Sequence, residues 1–157
     1  MALHGFDRWL YRGGRPNRLA RLLNAIWAAV YALGVAPNYL VTLQVPGRRS
    51  GRLIVFPLVM AVVDGERYLV AMLGENAAWV QNLQARHGHA LLRHGRVEDV
   101  CLEAIPVDQR GRVLQVYLQR APGARAHLPV SADAPREAFD AIAPRIPVFR
   151  VSAVPPP

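Results

Sequence analysis

The stretch Gly47-Arg48-Arg49-Ser50-Gly51-Arg52 separates two apolar runs, residues 39–45 and 53–63, that both read as β-strands. Its glycines and serine predict a tight turn, because glycine adopts positive φ and serine hydrogen-bonds to nearby backbone. The turn itself does not need three arginines for stability, and guanidinium groups bind carboxylate and phosphate oxygens bidentately. We therefore predict that this turn binds a phosphorylated or polyanionic ligand, with a solvated arginine hairpin as the alternative.

The patterns that follow the turn predict an α+β fold that is mainly β. Asp64-Gly65 is a strong hairpin signal, and Pro57 marks a bulge or a sheet edge because proline cannot donate to a ladder. Asn76 and Asp108 are the expected helix caps. Hairpin signals indicate mainly antiparallel strands, and strict βαβ alternation is missing. We therefore predict a closed or partly closed six-stranded barrel with peripheral helices. The later elements expected are strands at 67–73, 89–94, 97–105 and 146–151 and helices at 77–86, 108–121 and 137–142.

The 157 residues are expected to form one domain, with an N-terminal helical segment at 1–36 and a disordered tail at 153–157. Apolar residues at helical spacing between Leu19 and Val35 predict an amphipathic helix that is too short to cross a bilayer. This helix either packs on the domain or a dimer partner, or lies on anionic lipid through neighbouring arginines. No secretory signal is recognisable, so a cytoplasmic protein is the default expectation.

Charge and metal-ligand patterns narrow the classes of partner. The formal net charge is +8, and lysine is absent. An acidic cofactor, an anionic membrane surface and nucleic acid all suit such a charge. The arginines are scattered rather than interleaved with exposed aromatic residues, so nucleic-acid binding is not expected. Cys101 is the single cysteine, and three histidines between 87 and 94 lack nearby carboxylates, so no metal is predicted.

A second motif, residues 74–83, reads GENAAWVQNL. A glycine loop that enters a helix offers free backbone N–H donors to an anion or a ring carbonyl. Trp79 and Asn82 are three residues apart and share a helix face, although Trp79 alone is more typical of a core anchor. No set of acidic and basic side chains suggests catalysis by the protein alone. Any chemistry is therefore expected to come from a bound cofactor.

In this order the motifs resemble the deazaflavin-dependent nitroreductase family, whose pattern is a G-R-[RK]-[ST]-G turn, a P-L strand, a D-G hairpin and G-x-x-x-x-W-x-x-N-L. Here the pattern falls at residues 47–51, 57–58, 64–65 and 74–83. The resemblance implies an FMN-binding-like split β-barrel that binds coenzyme F420, a deazaflavin with a phosphodiester and a polyglutamate tail. The implied activity is hydride transfer from the reduced cofactor to a hydrophobic, electron-poor substrate, either a nitro compound, a quinone or an activated alkene.

Carried over position by position, the resemblance implies that the arginine-rich turn holds the phosphate and tail, and that later positions line the ring or the tail entrance. The implied cofactor-binding residues are Arg48, Arg49, Ser50, Gly51, Arg52, Pro57, Ala71, Met72, Gly74, Trp79 and Asn82. The candidate catalytic residues, chosen as polar or aromatic groups near the substrate, are Tyr117, His127 and Tyr39. Relatives with this fold are often dimers, so a homodimer is a further expectation.

Three positions depart from the family pattern and keep alternatives open. Ile54 replaces a basic residue, Phe56 replaces a threonine, and Met72 replaces a serine at the expected ring site. An ordinary flavin, FMN or FAD, is therefore the alternative cofactor. The alternative function is non-catalytic binding of a lipid, a flavin or another acidic small molecule in an apolar barrel.

Overall fold

The computed structural model describes residues 40–121 and 128–154 of the chain. Alternating apolar residues form strands and amphipathic stretches form helices in these ranges, as expected from their periods. The strands are β1 (Leu40–Pro46), β2 (Leu53–Val63), β3 (Glu66–Val70), β4 (His89–His94), β5 (Arg96–Ala104) and β6 (Val148–Ala153). The α-helices are α1 (Ala78–Ala85), α2 (Val107–Arg120) and α3 (Arg136–Ile142), and a 3-10 turn (Ala143–Arg145) follows α3.

The six strands close into an antiparallel barrel in the order β1-β2-β3-β6-β5-β4. Leu43, Leu69 and Phe149 fill its interior, and α1 packs against the same cluster. Trp79 of α1 meets Phe149 edge to face, with ring centroids 5.5 Å apart and an interplanar angle of 62°. The predicted barrel with peripheral helices is confirmed, and one of those helices packs into the barrel core.

A second core lies between the barrel and helices α2 and α3. Leu114 and Leu118 of α2 and Phe139 of α3 are fully buried there, against Ala61 of β2 and Val148 of β6. These side chains lie on the opposite face of the strands from the barrel interior, because successive residues of a strand alternate between its faces. The strands are thus covered by apolar contacts on both sides where the helices pack.

Strand β2 is much longer than its neighbour β3, and this difference leaves one edge of β2 without a partner strand among the described residues. Its first seven residues pair with β1 alone, and pairing with β3 starts at Met60. Pro57 lies in that uncovered half, opposite Thr42, in an uninterrupted register. The edge interpretation of Pro57 is confirmed and the bulge is wrong, because an edge leaves room for a residue without an N–H.

Several boundaries are corrected by the structure. Ala77 and Pro106 precede α1 and α2 without any side-chain cap, so the predicted caps Asn76 and Asp108 are wrong. A turn bond from Ala77 N–H to Gly74 O sets the start of α1, and the extended backbone of Pro106 sets that of α2. Ala153 is the last residue of β6, so this residue of the predicted tail at 153–157 belongs to the barrel instead.

The hairpin predicted at Asp64-Gly65 is confirmed. Both residues have positive φ, 52° and 80°, as a two-residue type I′ turn requires. The N-terminal helical segment at 1–36, Tyr39, His127 and the last three residues lie outside the described residues. Among the described helices, none combines the length and the apolar character that a membrane crossing needs.

Candidate functional site

The arginine-rich turn between β1 and β2 is closed by its own backbone. Gly47 N–H donates to Arg52 O at 2.8 Å, and Gly51 N–H donates to Gly47 O at 2.9 Å. Gly51 has a φ of +71°, a left-handed conformation that favours glycine. The Ser50 hydroxyl accepts from Arg52 N–H at 3.2 Å and so supports the turn from within. The result is a compact loop in which Arg48, Arg49 and Arg52 are all exposed residues.

The two sequence motifs meet at one contact. Oδ1 of Asn82 accepts from the backbone N–H of Arg48 at 3.2 Å and from Nη1 of Arg48 at 2.9 Å. Asn82 lies on α1 and is 2% exposed, whereas Arg48 is exposed. Folding therefore brings together residues 34 positions apart that the sequence assigned separately to the cofactor site.

Arg49 and Arg52 are both exposed, and their guanidinium groups have no hydrogen bond or ion pair within 40–121 and 128–154. Elsewhere in these ranges arginines do pair, as Arg67 does with Glu98 and Arg112 with Asp64. Two unpaired guanidinium groups on one short loop leave up to ten N–H donors for an incoming anion, since each guanidinium carries five. The loop therefore has the donors that binding of an acidic group would need, and that role stays a prediction.

An apolar surface adjoins the turn. Leu53, Ile54 and Val55 are 51%, 38% and 39% exposed at the start of β2, on the edge that β3 leaves uncovered. Leu53 and Val55 lie on one face of β2 and Ile54 on the other, so apolar side chains are exposed on both faces of the strand next to the charged loop. The sequence alone did not single out Leu53 and Val55. One signal could have found them. The apolar run of β2 has eleven residues and the return strand β3 has five, so part of β2 has no partner in β3.

The other predicted cofactor residues divide by burial. Pro57, Met72 and Gly74 are half-buried and reachable from the surface. Ala71 and Trp79 are 1% and 6% exposed, and their side chains are part of the barrel core. The core-anchor interpretation of Trp79 agrees with this position, and direct contact of Ala71 or Trp79 with a ligand stays a prediction.

Of the candidate catalytic residues, only Tyr117 is described. It is 5% exposed in the core between α2 and the barrel, and this burial raises the pKa of its phenol well above the ordinary value. Contact with a substrate would require that core to open, so its catalytic role stays a prediction. In the described part of the chain, no group of three His, Cys, Asp or Glu side chains is arranged to hold a metal ion.

The described residues thus form an antiparallel barrel with a cationic turn beside the exposed apolar start of β2. A sequence profile described as F420H(2)-dependent quinone reductase matches residues 18–131, well over half of the chain. The chain belongs to the F420H2-dependent quinone reductase family. Membership confirms the family resemblance and the prediction of coenzyme F420 over FMN or FAD, and it makes the chain an F420-dependent oxidoreductase. No curated protein matches the sequence.

Solved structures share the fold at low sequence identity. A structure described as a domain-swapped dimer has 18% identity and a TM-score of 0.53, covering 86% of this chain and 94% of that chain. An F420-H2 dependent reductase (FDR-A) has 19% identity and a TM-score of 0.50, covering 75% and 97%. A conserved hypothetical protein from Mycobacterium tuberculosis has 20% identity and a TM-score of 0.52, covering 80% and 79%. These likenesses confirm the split-barrel fold.

Proposed function

We propose that this protein binds reduced coenzyme F420 at the turn between β1 and β2 and reduces a quinone. The observation that carries the proposal is the pair of unpartnered guanidinium groups, Arg49 and Arg52, beside the exposed apolar start of β2. The guanidinium groups suit the acidic phosphodiester and tail of the cofactor, and the apolar start of β2 suits its flat ring. When bound, the deazaflavin ring supplies the hydride. Nitro compounds and activated alkenes are the alternative acceptors.

In this proposal the protein binds, orients and excludes water. Arg49 and Arg52 hold the phosphate and the carboxylates through charge-assisted hydrogen bonds. Half-buried Pro57, Met72 and Gly74 line the ring, where apolar surface removes water from the transfer path. Tyr39, Tyr117 and His127 stay candidates for the hydrogen bond that polarises the substrate.

A cofactor panel tests the proposal. Purified protein is titrated with F420, with the same deazaflavin lacking the phosphodiester and tail, and with FMN and FAD. We expect micromolar or tighter binding of F420 and weaker binding of the other three. Arg49→Ala should cost about 1.5–3 kcal/mol of F420 affinity, the usual loss for a hydrogen bond to a charged group.

The matched control is Arg96→Ala, which removes the same charge from an exposed arginine in the β4–β5 turn. That turn lies at the end of the barrel where β1 begins, far from the arginine-rich loop, because His94 contacts Leu40. Equal losses in the two variants would mean that only net charge matters. Absence of F420 binding by the wild-type protein would reject the proposal.

One observation favours a second function, the non-catalytic binding of a lipid or another acidic amphiphile. Leu53 and Val55, which lie on the same face of β2, expose apolar surface that suits an acyl chain as well as a ring. Native mass spectrometry of protein purified from its own host distinguishes the reductase from the non-catalytic binding protein. A co-purifying acyl chain would support non-catalytic binding.

Assembly and location belong to the same proposal. A homodimer is supported by the domain-swapped dimer among the structures with this fold. A cytoplasmic location and a membrane contact through the N-terminal segment stay predictions. Light scattering of the purified protein, with and without anionic vesicles, measures both the oligomeric state and the membrane contact.

A further inference from the structure

We infer that Asn82 is a positioning residue that holds the anion-binding turn in place through Arg48, and not a ligand of the cofactor. The identity of the ligand rests on the proposed function; the contact itself does not. One atom of Asn82, Oδ1, accepts both the backbone N–H and the Nη1–H of Arg48, at 3.2 and 2.9 Å. A single side chain therefore fixes both the main chain and the guanidinium group of one turn residue.

The burial of Asn82 gives this contact its importance. The side chain is 2% exposed, so its oxygen has little access to water and would stay unsatisfied without Arg48. Its helix, α1, is anchored in the barrel core through Trp79, Val80 and Leu83. The position of the turn is thereby set by the barrel interior, through α1, and not only by the strands that flank it.

The consequence for binding concerns Arg49 and Arg52. Both are exposed, and their guanidinium groups make no hydrogen bond or ion pair within the described ranges, so the backbone of the turn sets their direction. Releasing Arg48 would let that backbone sample other conformations, and ordering it again on binding costs affinity. Arg48, by contrast, donates both its backbone N–H and one guanidinium N–H to Asn82 and is partly a structural residue.

Two substitutions separate the positioning role from direct ligation, because the carboxamide has an acceptor and a donor end. Asn82→Asp keeps an oxygen acceptor for Arg48, removes the Nδ2–H donor and adds a negative charge. Asn82→Leu removes both ends. A positioning residue tolerates Asp and not Leu, whereas a donor to an anionic cofactor tolerates Asp least.

The experiment has one arm without ligand and one with it. In ligand-free protein, hydrogen exchange at the amides of residues 48–52 should quicken about tenfold in Asn82→Leu and stay near wild type in Asn82→Asp. In the second arm, F420 affinity should fall about tenfold in Asn82→Leu and less than about threefold in Asn82→Asp. Affinity for the deazaflavin lacking phosphodiester and tail should be unchanged in both.

Arg48→Ala provides the partner variant. Combined with Asn82→Leu, it should weaken F420 binding no more than the larger single effect, since Asn82→Leu already removes the side-chain hydrogen bond that Arg48→Ala breaks. F420 affinity lower in Asn82→Asp than in Asn82→Leu would overturn the inference in favour of direct ligation, and so would unchanged exchange in Asn82→Leu. If Asn82→Leu does not fold, Asn82→Asp and Arg48→Ala decide the question by the same readouts. A wild-type protein that binds no deazaflavin would reject the proposed function, while the exchange arm would still test the positioning role.

Discussion

At the scale of single residues, the least exposed ion pair among the described residues joins Arg67 of β3 to Glu98 of β5. The two guanidinium nitrogens donate to the two carboxylate oxygens at 2.8 and 2.9 Å, a bidentate geometry. Side-chain exposure is 28% and 33%, so the pair is partly shielded. The hydrogen bond from Arg67 lowers the pKa of Glu98, against the opposing effect of burial.

This pair predicts an acid-sensitive share of the stability. The pKa of Glu98 is lower in the folded than in the unfolded chain, so its contribution is complete above the ordinary glutamate value of about 4.3. The contribution disappears as the pH falls through the folded-state pKa. We expect Glu98→Gln to lower the free energy of unfolding by up to about 1 kcal/mol at pH 7. Urea unfolding should show that this difference narrows towards pH 3.

Glu103→Gln is the control for that prediction. Glu103 pairs with Arg150 through a single contact of 3.3 Å and is 72% exposed, so its removal should cost only a few tenths of a kcal/mol, roughly the value of an exposed pair. A difference for Glu98→Gln that stays constant down to pH 3 would exclude titration of this carboxylate as its origin.

At the scale of elements, the junction between α1 and β4 depends on Gly88. Its N–H donates to Leu83 O at 3.0 Å and terminates α1, and its carbonyl accepts from Leu102 N–H at 2.8 Å. The φ of Gly88 is +85°, and a Cβ there would lie 2.5 Å from Leu102 O. Conformation and close backbone approach both require glycine, and the junction fixes the helix that carries Asn82.

Gly88→Ala should therefore destabilise the protein more than Gly95→Ala. Gly95 also has a positive φ, +77°, but nothing lies within 4 Å of an added Cβ. Both changes should cost about 1–2 kcal/mol for the left-handed conformation, and Gly88→Ala about 1–3 kcal/mol more for the clash. Urea unfolding of the two variants measures the difference, and equal losses would contradict a close approach of Gly88 to β5.

At the scale of the whole molecule, a net charge of +8 surrounds a site that is proposed to take a polyanion. Charges spread over the surface raise the local concentration of an oppositely charged ligand, and salt screens this effect. The apolar interactions of the ring do not depend on salt in this way. Charge and apolar surface therefore contribute separately to binding.

Salt should consequently weaken the binding of F420 much more than that of the same deazaflavin without phosphodiester and tail. Between 0.1 and 1 M ionic strength the screening length falls from about 10 to about 3 Å. We expect a clear loss of F420 affinity over this range and a smaller slope in Arg49→Ala. Titrations at several NaCl concentrations measure both slopes; identical slopes for the two ligands would argue against ion pairing with the tail.

Local sequence signals determined most of the individual elements. Asp64-Gly65 permits the positive φ of a type I′ hairpin, and the short apolar run between His89 and His94 predicted the bounds of β4 as the structure has them. The glycines and arginines of residues 47–52 predicted a cationic turn for the same reason, because turn chemistry acts within a few residues. The predicted helix caps Asn76 and Asp108 were wrong because a backbone turn at Gly74 sets the start of α1 and Pro106 sets the start of α2.

Tertiary structure alone decided which turn and which helix meet, because residues 48 and 82 become neighbours only when the barrel closes and α1 packs into it. It also decided that Trp79 faces Phe149 and that the first half of β2 stays uncovered, since both depend on strand order and length. The sequence by itself specified the chemistry of the site through its arginines and apolar run. Their arrangement in space is a long-range property, set by the burial of side chains far apart in the chain.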